Sequence, residues 1–490
     1  MTPDRPGRTV RGPARIALFL AVLGLVPLVL LVVAHRAAAD RVEDAEPPSS
    51  PPAAAIPTGR VTTPLLSARR VPAALQRDVA VQNLRAALLP VAAQVPTGSC
   101  LGVAVDGRPV FGVNGPAAVM PASNMKLVTA AVALDALGPA YRFTTTVKSA
   151  AAPVGGRLDG DLYLVGSGDP VLGTADYLQA AKRLHYPQPF VTPLETLADQ
   201  IKAAGVTHVS GRVVGDDRHF DAERYVPSWP AGYATAREAG PLGALMVNDA
   251  AAGFSPFRNA ADPATHAADE LTALLEARGV TVEGGATRGA APVAGPTLGH
   301  VQSRPVSELV GEMLTTSDAN TAELLLKQIG AAKGGAGTRA AGLAVVRSTL
   351  QRWGIPLTGV HLVDGSGLDR GNRLTCDAIL ALLDHVGPNG PLAAGLPVAG
   401  RTGTLATELR ESPAAGRLRA KTGTLTGAKA LSGFVDAADG RRHVSFSYVQ
   451  NGPAADAAAE PVWTALGAIL TTYPQAPAAA SLGPTAPVAA

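Results

Sequence analysis

Two strand-turn-strand signatures stand at opposite ends of the folded part of this chain, and they restrict its architecture more than any other feature. Residues 100–105 and 109–113 flank Asp106-Gly107, a dipeptide that favours the tight turn of a β-hairpin. Far downstream, residues 430–435 and 443–450 are joined around Asp439-Gly440. A lone hairpin is marginal in water, so each needs partners. Between them lie helical patterns at 306–314, 321–329 and 374–386, and a closing helix is expected over 459–473. The economical solution is one antiparallel sheet completed from both chain ends, with helices packed on it. The fold class is therefore α+β.

The middle of the chain reads differently. From residue 144 to about 295, short strand-like runs recur at 145–148, 162–165, 206–209 and 212–215, with helices expected over 193–204 and 264–277. Gly166-Ser167-Gly168-Asp169-Pro170 and Gly215-Asp216-Asp217 read as aspartate-capped turns. This segment is an inserted, smaller domain, since a sheet closed by distant ends accommodates an insertion naturally. A helix is expected over 79–95, and a strand over 360–363 entering Asp364-Gly365-Ser366-Gly367.

Chemistry is concentrated where lysine is scarce. The chain has eight lysines: Lys126, Lys148, Lys182, Lys202, Lys327, Lys333, Lys421 and Lys429. Lys126 closes Ser123-Asn124-Met125-Lys126 at the start of an expected helix that Gly138-Pro139 stops. A lysine three residues on projects from the same helix face as the serine, and a neutral amine there can take the hydroxyl proton. Alone this pattern is weak, because a capping serine followed by a surface lysine looks identical. Two companions add weight: Ser317-Asp318-Ala319-Asn320 and Lys421-Thr422-Gly423-Thr424. In this order the three form the Ser-x-x-Lys, Ser-x-Asn and Lys-Thr-Gly set of penicillin-binding proteins and serine β-lactamases.

Residues 80–475 resemble the D-alanyl-D-alanine carboxypeptidase/endopeptidase family, the class C low-molecular-mass penicillin-binding proteins. The three motifs carry the likeness, with Gly168-Asp169-Pro170-Val171-Leu172, Asp364-Gly365-Ser366-Gly367-Leu368 and Arg419-Ala420-Lys421 in support. The interval between the first two motifs, 317 − 123 = 194 residues, fits a penicillin-binding transpeptidase domain carrying an insertion. The resemblance implies Ser123 as nucleophile, Lys126 as base and Ser317 as proton relay. It implies Lys421, Thr422, Gly423 and Thr424 as substrate-binding, with the Ser123 and Thr424 N–H groups as oxyanion hole. Lys421 is expected to lower the pKa of its neighbour lysine through like charge. The implied partners are peptidoglycan stem peptides, with β-lactams as inhibitors. A β-lactamase-like hydrolase and a catalytically impaired wall-binding or penicillin-sensing protein stay open as alternatives.

One departure stands out. The family pattern places Asn at position 319, where this chain has Ala319, with Asn320 beside it. Asn320 is thus a substrate-binding candidate. Asn320-Thr321-Ala322-Glu323 also fits a helix N-cap with Glu at the third position, and the cap is the favoured expectation.

The ends and the composition set the compartment. Arg5, Arg8, Arg11 and Arg15 precede an apolar run over 16–34, long enough to span a bilayer. Ala37-Ala38-Ala39 offers a cleavage site, so residues 1–39 read as a signal peptide or a signal-anchor contacting the cell membrane. Either places the remainder outside the cytoplasm, in the envelope or secreted. Residues 40–75 read as a Pro-rich linker and 476–490 as a disordered tail. The catalytic domain is expected over 76–150 and 296–475, around an insertion at 151–295. In that compartment Cys100 and Cys376, the two cysteines, are expected to pair. The nine histidines show no ligand spacing, so no metal and no cofactor are expected. A formal charge of +3 gives no footing for nucleic acid.

Overall fold

The two terminal hairpins meet in one sheet. The structure, a computed structural model, describes residues 30–36, 71–254, 257–440 and 442–482. The chain divides into two units, Met1–Ala68 and Arg69–Ala490. In the first, residues 30–36 are helical; the rest of the expected signal, its cleavage site and residues 40–70 lie outside the described residues. No helix among the described residues is long and apolar enough to cross a membrane.

The second unit opens with α1 (Val71–Ala92), which starts within the expected linker and ahead of residue 79. Strands β1 (Cys100–Val105) and β2 (Arg108–Val113) follow, then α2 (Met125–Leu137). The intervening chain contributes β3 (Thr144–Ser149), β4 (Leu162–Val165), α3 (Glu195–Ala203), β5 (Val213–Asp216), α4 (Pro263–Glu276), β6 (Ala286–Arg288) and β7 (Thr297–Gln302). Helices α5 (Val306–Thr316), α6 (Ala319–Lys333), α7 (Arg339–Arg352) and α8 (Cys376–Val386) come next. The chain closes with β8 (Leu418–Leu425), β9 (Ala428–Asp436), β10 (His443–Asn451) and α9 (Ala455–Leu470).

The principal sheet runs β8-β9-β10-β1-β2, antiparallel throughout. Leu101 stands opposite Tyr448 and Val103 opposite Phe446. The period of two sends Leu101, Val103, Leu431, Phe446 and Tyr448 toward α1 and α9, where they join Leu84, Leu88, Trp463 and Leu466. Cys100, Ala430, Phe434 and Val449 face the opposite layer, with Met125, Leu127, Met313, Leu325 and Leu383. Helix α2 is the centre of that layer: every residue from Met125 to Ala133 is buried. A helix apolar all round belongs in a core, and each large side chain it buries contributes about 1.5–3 kcal/mol. Lys126 sits within this run, so its placement needs another cause.

A disulfide joins Cys100 on β1 to Cys376 at the first turn of α8, with Cα atoms 5.9 Å apart, clamping sheet to helical layer as expected. The C-terminal stretch expected to be disordered is ordered as far as Leu482. Gln76 and Asn83 on α1 donate to the carbonyls of Pro477 and Gln475, at 3.0 and 2.8 Å. Residues 360–363 are not a strand: His361 makes a single bridge to Arg373, and the Val363 N–H goes to the Asn372 side chain instead.

The inserted domain has its own sheet, ordered β6-β5-β4-β3-β7. Strands β4, β5 and β6 run parallel, and β3 is antiparallel to β4 and β7. Helices α3 and α4 cover it through Leu197, Ile201, Leu271 and Leu275. Since β3 and β7 belong to this sheet, it reaches beyond 151–295 at both ends. Helix α7 carries no strong amphipathic stripe, and its packing depends on Gly342, where a Cβ would lie 2.2 Å from the Leu326 carbonyl oxygen of α6.

Candidate active site

Ser123 lies in a single 3-10 turn, Ala122–Asn124, that runs straight into α2. No side chain caps the start of α2, which rules out the capping-serine reading. Lys126 is fully buried, so the surface-lysine half of that reading fails too. Its Nζ lies 3.3 Å from Ser123 Oγ and donates to the Ser366 carbonyl at 2.9 Å. Asn124 turns inward and donates to Ser432 Oγ at 2.7 Å, tying the turn to β9.

Ser317 ends α5 in the left-handed region (φ 67°). Lys421 on β8 is also fully buried; its Nζ donates to Ser317 Oγ at 2.9 Å and to the Thr422 carbonyl at 2.8 Å. Ser123, Lys126 and Ser317 line one cleft of about 540 Å³, together with Asn320, Thr422 and Thr424, and Lys421 is joined to it through Ser317. Thr424 is exposed on β8, an edge strand of the sheet. The start of that edge is covered by Pro397 and Ala399, which bond Ala420 and Leu418 at 3.0 and 2.9 Å. Gly423 is required at the crossing: a Cβ there would sit 2.9 Å from Pro121 O and 3.1 Å from Ser123 N. Ala122 (φ 48°) and Ser317 (φ 67°) are both left-handed without being glycine, a cost of order 1–3 kcal/mol each spent beside the two cleft serines.

Burial lowers the Lys126 pKa to about 8, against the opposing pull of Asp364, Asp318, Glu323 and Glu238. Burial likewise holds Lys421 well below its ordinary value, with the Lys126 charge adding to the effect. Burial, rather than the like charge expected from the sequence, is the larger cause at both amines.

Asn320 is in the cleft wall but is not a cap. The cap of α6 is Asp318, which accepts from Thr321 N at 2.8 Å. Asn320 accepts from Gly240 N at 3.0 Å and donates to Asp249 Oδ1 at 2.5 Å. Both partners belong to the inserted domain, so this amide clasps that domain onto α6. Asp249 lies in a run of three left-handed residues, Asn248, Asp249 and Ala250. Burial and the Asp318 charge raise its pKa to about 8. Ala319, standing where the pattern has an amide, packs with Val226, Trp229, Ala239 and Leu368.

Three contributors had no site role in the motif reading. Glu323 Oε1 accepts from Gly365 N and Ser366 N at 2.9 and 2.7 Å, fixing the loop that meets Lys126. Thr404 Oγ1 accepts from Thr422 Oγ1 at 2.7 Å. Its segment, Arg401-Thr402-Gly403-Thr404-Leu405, echoes Lys421-Thr422-Gly423-Thr424-Leu425, a signal the sequence did carry. Gly367 packs so tightly that a Cβ would lie 2.0 Å from Ala122 O, which seats the 364–369 loop directly behind the Ser123 turn.

Comparison with known families assigns the chain. The profile of the D-Ala-D-Ala carboxypeptidase 3 (S13) family matches residues 84–254 and 245–473. This chain belongs to the S13 family. A D-alanyl-D-alanine carboxypeptidase of Actinomadura sp. is 32% identical over 92% of this chain and 89% of its own length. The carboxypeptidase DacB of Mycolicibacterium smegmatis is 31% identical, covering 91% of this chain and 95% of that one. Among solved structures, penicillin-binding protein 4 of Haemophilus influenzae superposes with a TM-score of 0.66 at 22% identity. That match covers 78% of this chain and 99% of the other, so the two share their fold.

Proposed function

We propose that this S13 protein is a serine-type D-alanyl-D-alanine carboxypeptidase, penicillin-sensitive and working through an acyl-enzyme on peptidoglycan stem peptides outside the cytoplasm. Family membership supports the peptidase class. The observation that carries the mechanism is the buried Lys126 amine 3.3 Å from Ser123 Oγ, with Ser317 lining the same cleft and bonded to Lys421. The division into a catalytic domain interrupted by an insertion belongs to the same proposal, with the insertion widened from the expected 151–295 to take in β3 and β7. So does membrane contact through the N-terminal segment in the case that it is not cleaved.

In this reading the terminal dipeptide lies along the open edge of β8, adding a strand beside Thr422 and Thr424. Neutral Lys126 takes the Ser123 proton as Oγ bonds to the carbonyl carbon of the penultimate D-alanine. The N–H groups of Ser123 and Thr424 hold the resulting oxyanion. The C–N bond then breaks, and the departing nitrogen receives the proton that Lys126 took from Ser123, relayed through the Ser317 hydroxyl, which Lys421 positions. Water attacks the ester, Lys126 accepts its proton and returns it to Ser123 Oγ as the C–Oγ bond breaks, and the shortened peptide leaves. A β-lactam acylates Ser123 by the same first step.

The test combines intact-mass measurement after exposure to a fluorescent penicillin with release of D-alanine from a stem-peptide substrate. Wild type should gain one adduct mapping to Ser123 and release D-alanine. Ser123→Ala should do neither. An adduct on Ser123→Ala refutes the nucleophile, and rapid turnover of the penicillin without D-alanine release refutes the carboxypeptidase reading.

A further inference from the structure

The inserted domain reaches behind the candidate base as well as into the cleft wall. Trp229 is nearly buried, with 8% of its surface exposed. Its indole Nε1–H donates to Asp364 Oδ2 at 2.9 Å. Asp364 is fully buried and is held by four donors. Gly367 N and Asn372 Nδ2 reach Oδ1 at 2.7 Å each, and Asp369 N reaches Oδ2 at 2.7 Å. Among the described residues Trp229 is the one donor from outside the 364–372 loop. Neighbours reinforce the attachment: Ser228 Oγ bonds Asp369, and Tyr233 OH reaches the Leu368 carbonyl at 3.5 Å. The loop so fixed presents the Ser366 carbonyl to Lys126 Nζ at 2.9 Å.

We infer that Trp229 is a positioning residue for Lys126, acting through Asp364 and the Ser366 carbonyl; this rests on the reading of Lys126 as the base. The reason is the geometry of an amine lone pair. A neutral lysine has two N–H bonds and one lone pair. With one N–H anchored on the Ser366 carbonyl, rotation of the amine is restricted and the lone pair can be held toward Ser123 Oγ. If the carbonyl drifts, the amine turns away and proton transfer loses its alignment. The indole N–H also offsets part of the Asp364 charge, whose field favours the protonated lysine. The other charged groups facing Lys126 are Asp318 and Glu323 of α6, Glu238 of the inserted domain and Lys421 of β8. The substitutions below leave all of these in place.

Two full-length variants separate this role from packing. Trp229→Phe keeps most of the ring and removes the donor. Trp229→His loses bulk but can present an N–H near the same position, because the imidazole Nε2 overlays the indole nitrogen. Acylation by a chromogenic cephalosporin is followed from pH 6 to 10, with rate constant and initial binding constant resolved separately. Trp229→Phe should lose about tenfold in the acylation rate constant, with binding changed less than about twofold. Its acid limb should move to higher pH, because the less compensated Asp364 charge keeps Lys126 protonated longer. Trp229→His should recover most of the rate. Should Trp229→Phe fail to fold, the Trp229→His rate decides alone: near wild type supports the role, and a comparable loss overturns it. A Trp229→Phe rate and pH profile matching wild type, or a defect confined to binding, overturns it as well. A wild type that is neither acylated nor able to release D-alanine overturns the catalytic reading itself, and the positioning role falls with it.

Discussion

At the residue scale, two side chains carry the sharpest expectations. Lys126 is a base only when neutral, and burial brings its pKa to about 8. Above that pH the amine is free to accept the Ser123 proton; below it the ammonium cannot. Acylation by a β-lactam should therefore rise with pH, reach half its plateau near pH 8 and fall about tenfold per unit on the acid side. Stopped-flow labelling across that range checks it. Lys126→Arg, permanently charged, should lose at least about a hundredfold at every pH. Asn320 has a different fate from a cap. Asn320→Ala leaves the Gly240 N–H and the Asp249 carboxyl without their partner on α6, at a cost of about 1–3 kcal/mol. Thermal unfolding should register this as a lower Tm. Its effect on acylation should come through a displaced cleft wall, weakening initial binding more than the rate constant. Equal loss in the rate constant with Tm unchanged would instead make Asn320 a direct substrate ligand.

At the scale of elements, the cleft is a junction of three pieces: the Ser123 turn, the end of α5 and the strand β8. None is held by its own hydrogen bonds alone. Gly423 shows how close the junction is, since β8 passes the Ser123 amide with no room for a Cβ. Gly423→Ala should push the strand off the turn. A misplacement near 1 Å costs on the order of a hundredfold in rate, so acylation should fall far more than stability does. Labelling rates and melting curves of the same preparation separate the two effects. Element existence was mostly legible beforehand. The strands 162–165 and 443–450 and the helices around Ser317 lie close to their expected limits, because alternation and helical periodicity are local. Helix α7 and the ordering of the C-terminal stretch were not. The first depends on a glycine fitted against a neighbour's backbone, the second on amides donated from α1.

Over the whole molecule, the principal sheet places β1 between β10 and β2, so the chain's two ends must meet before the site exists. The Cys100–Cys376 bond spans 276 residues of sequence and ties β1 to α8. Removing both thiols as Cys100→Ser with Cys376→Ser should lower stability by about 2–5 kcal/mol while leaving the pH profile of acylation in place. Non-reducing peptide mapping of protein made in an oxidising compartment should show the linked peptides. Two alkylatable thiols in the folded, exported protein would contradict the pairing. The inserted domain also takes part at this scale, since Lys327 and Arg339 of the catalytic domain pair with Asp221 and Glu223, at 2.6 and 2.8 Å.

By itself the sequence determined the α+β class, the hairpins at both ends, the insertion and the residues that gather in the cleft. Those properties follow from local periodicity, turn chemistry and side-chain identity, all of which a linear string preserves. Only the tertiary structure decided that both lysines are buried, that Asp318 rather than Asn320 caps α6, and that Asn320 and Trp229 bind the inserted domain to the catalytic one. These outcomes depend on which groups distant segments bring within about 3 Å. Desolvation and hydrogen bonding act at that range, and spacing along the chain does not encode it.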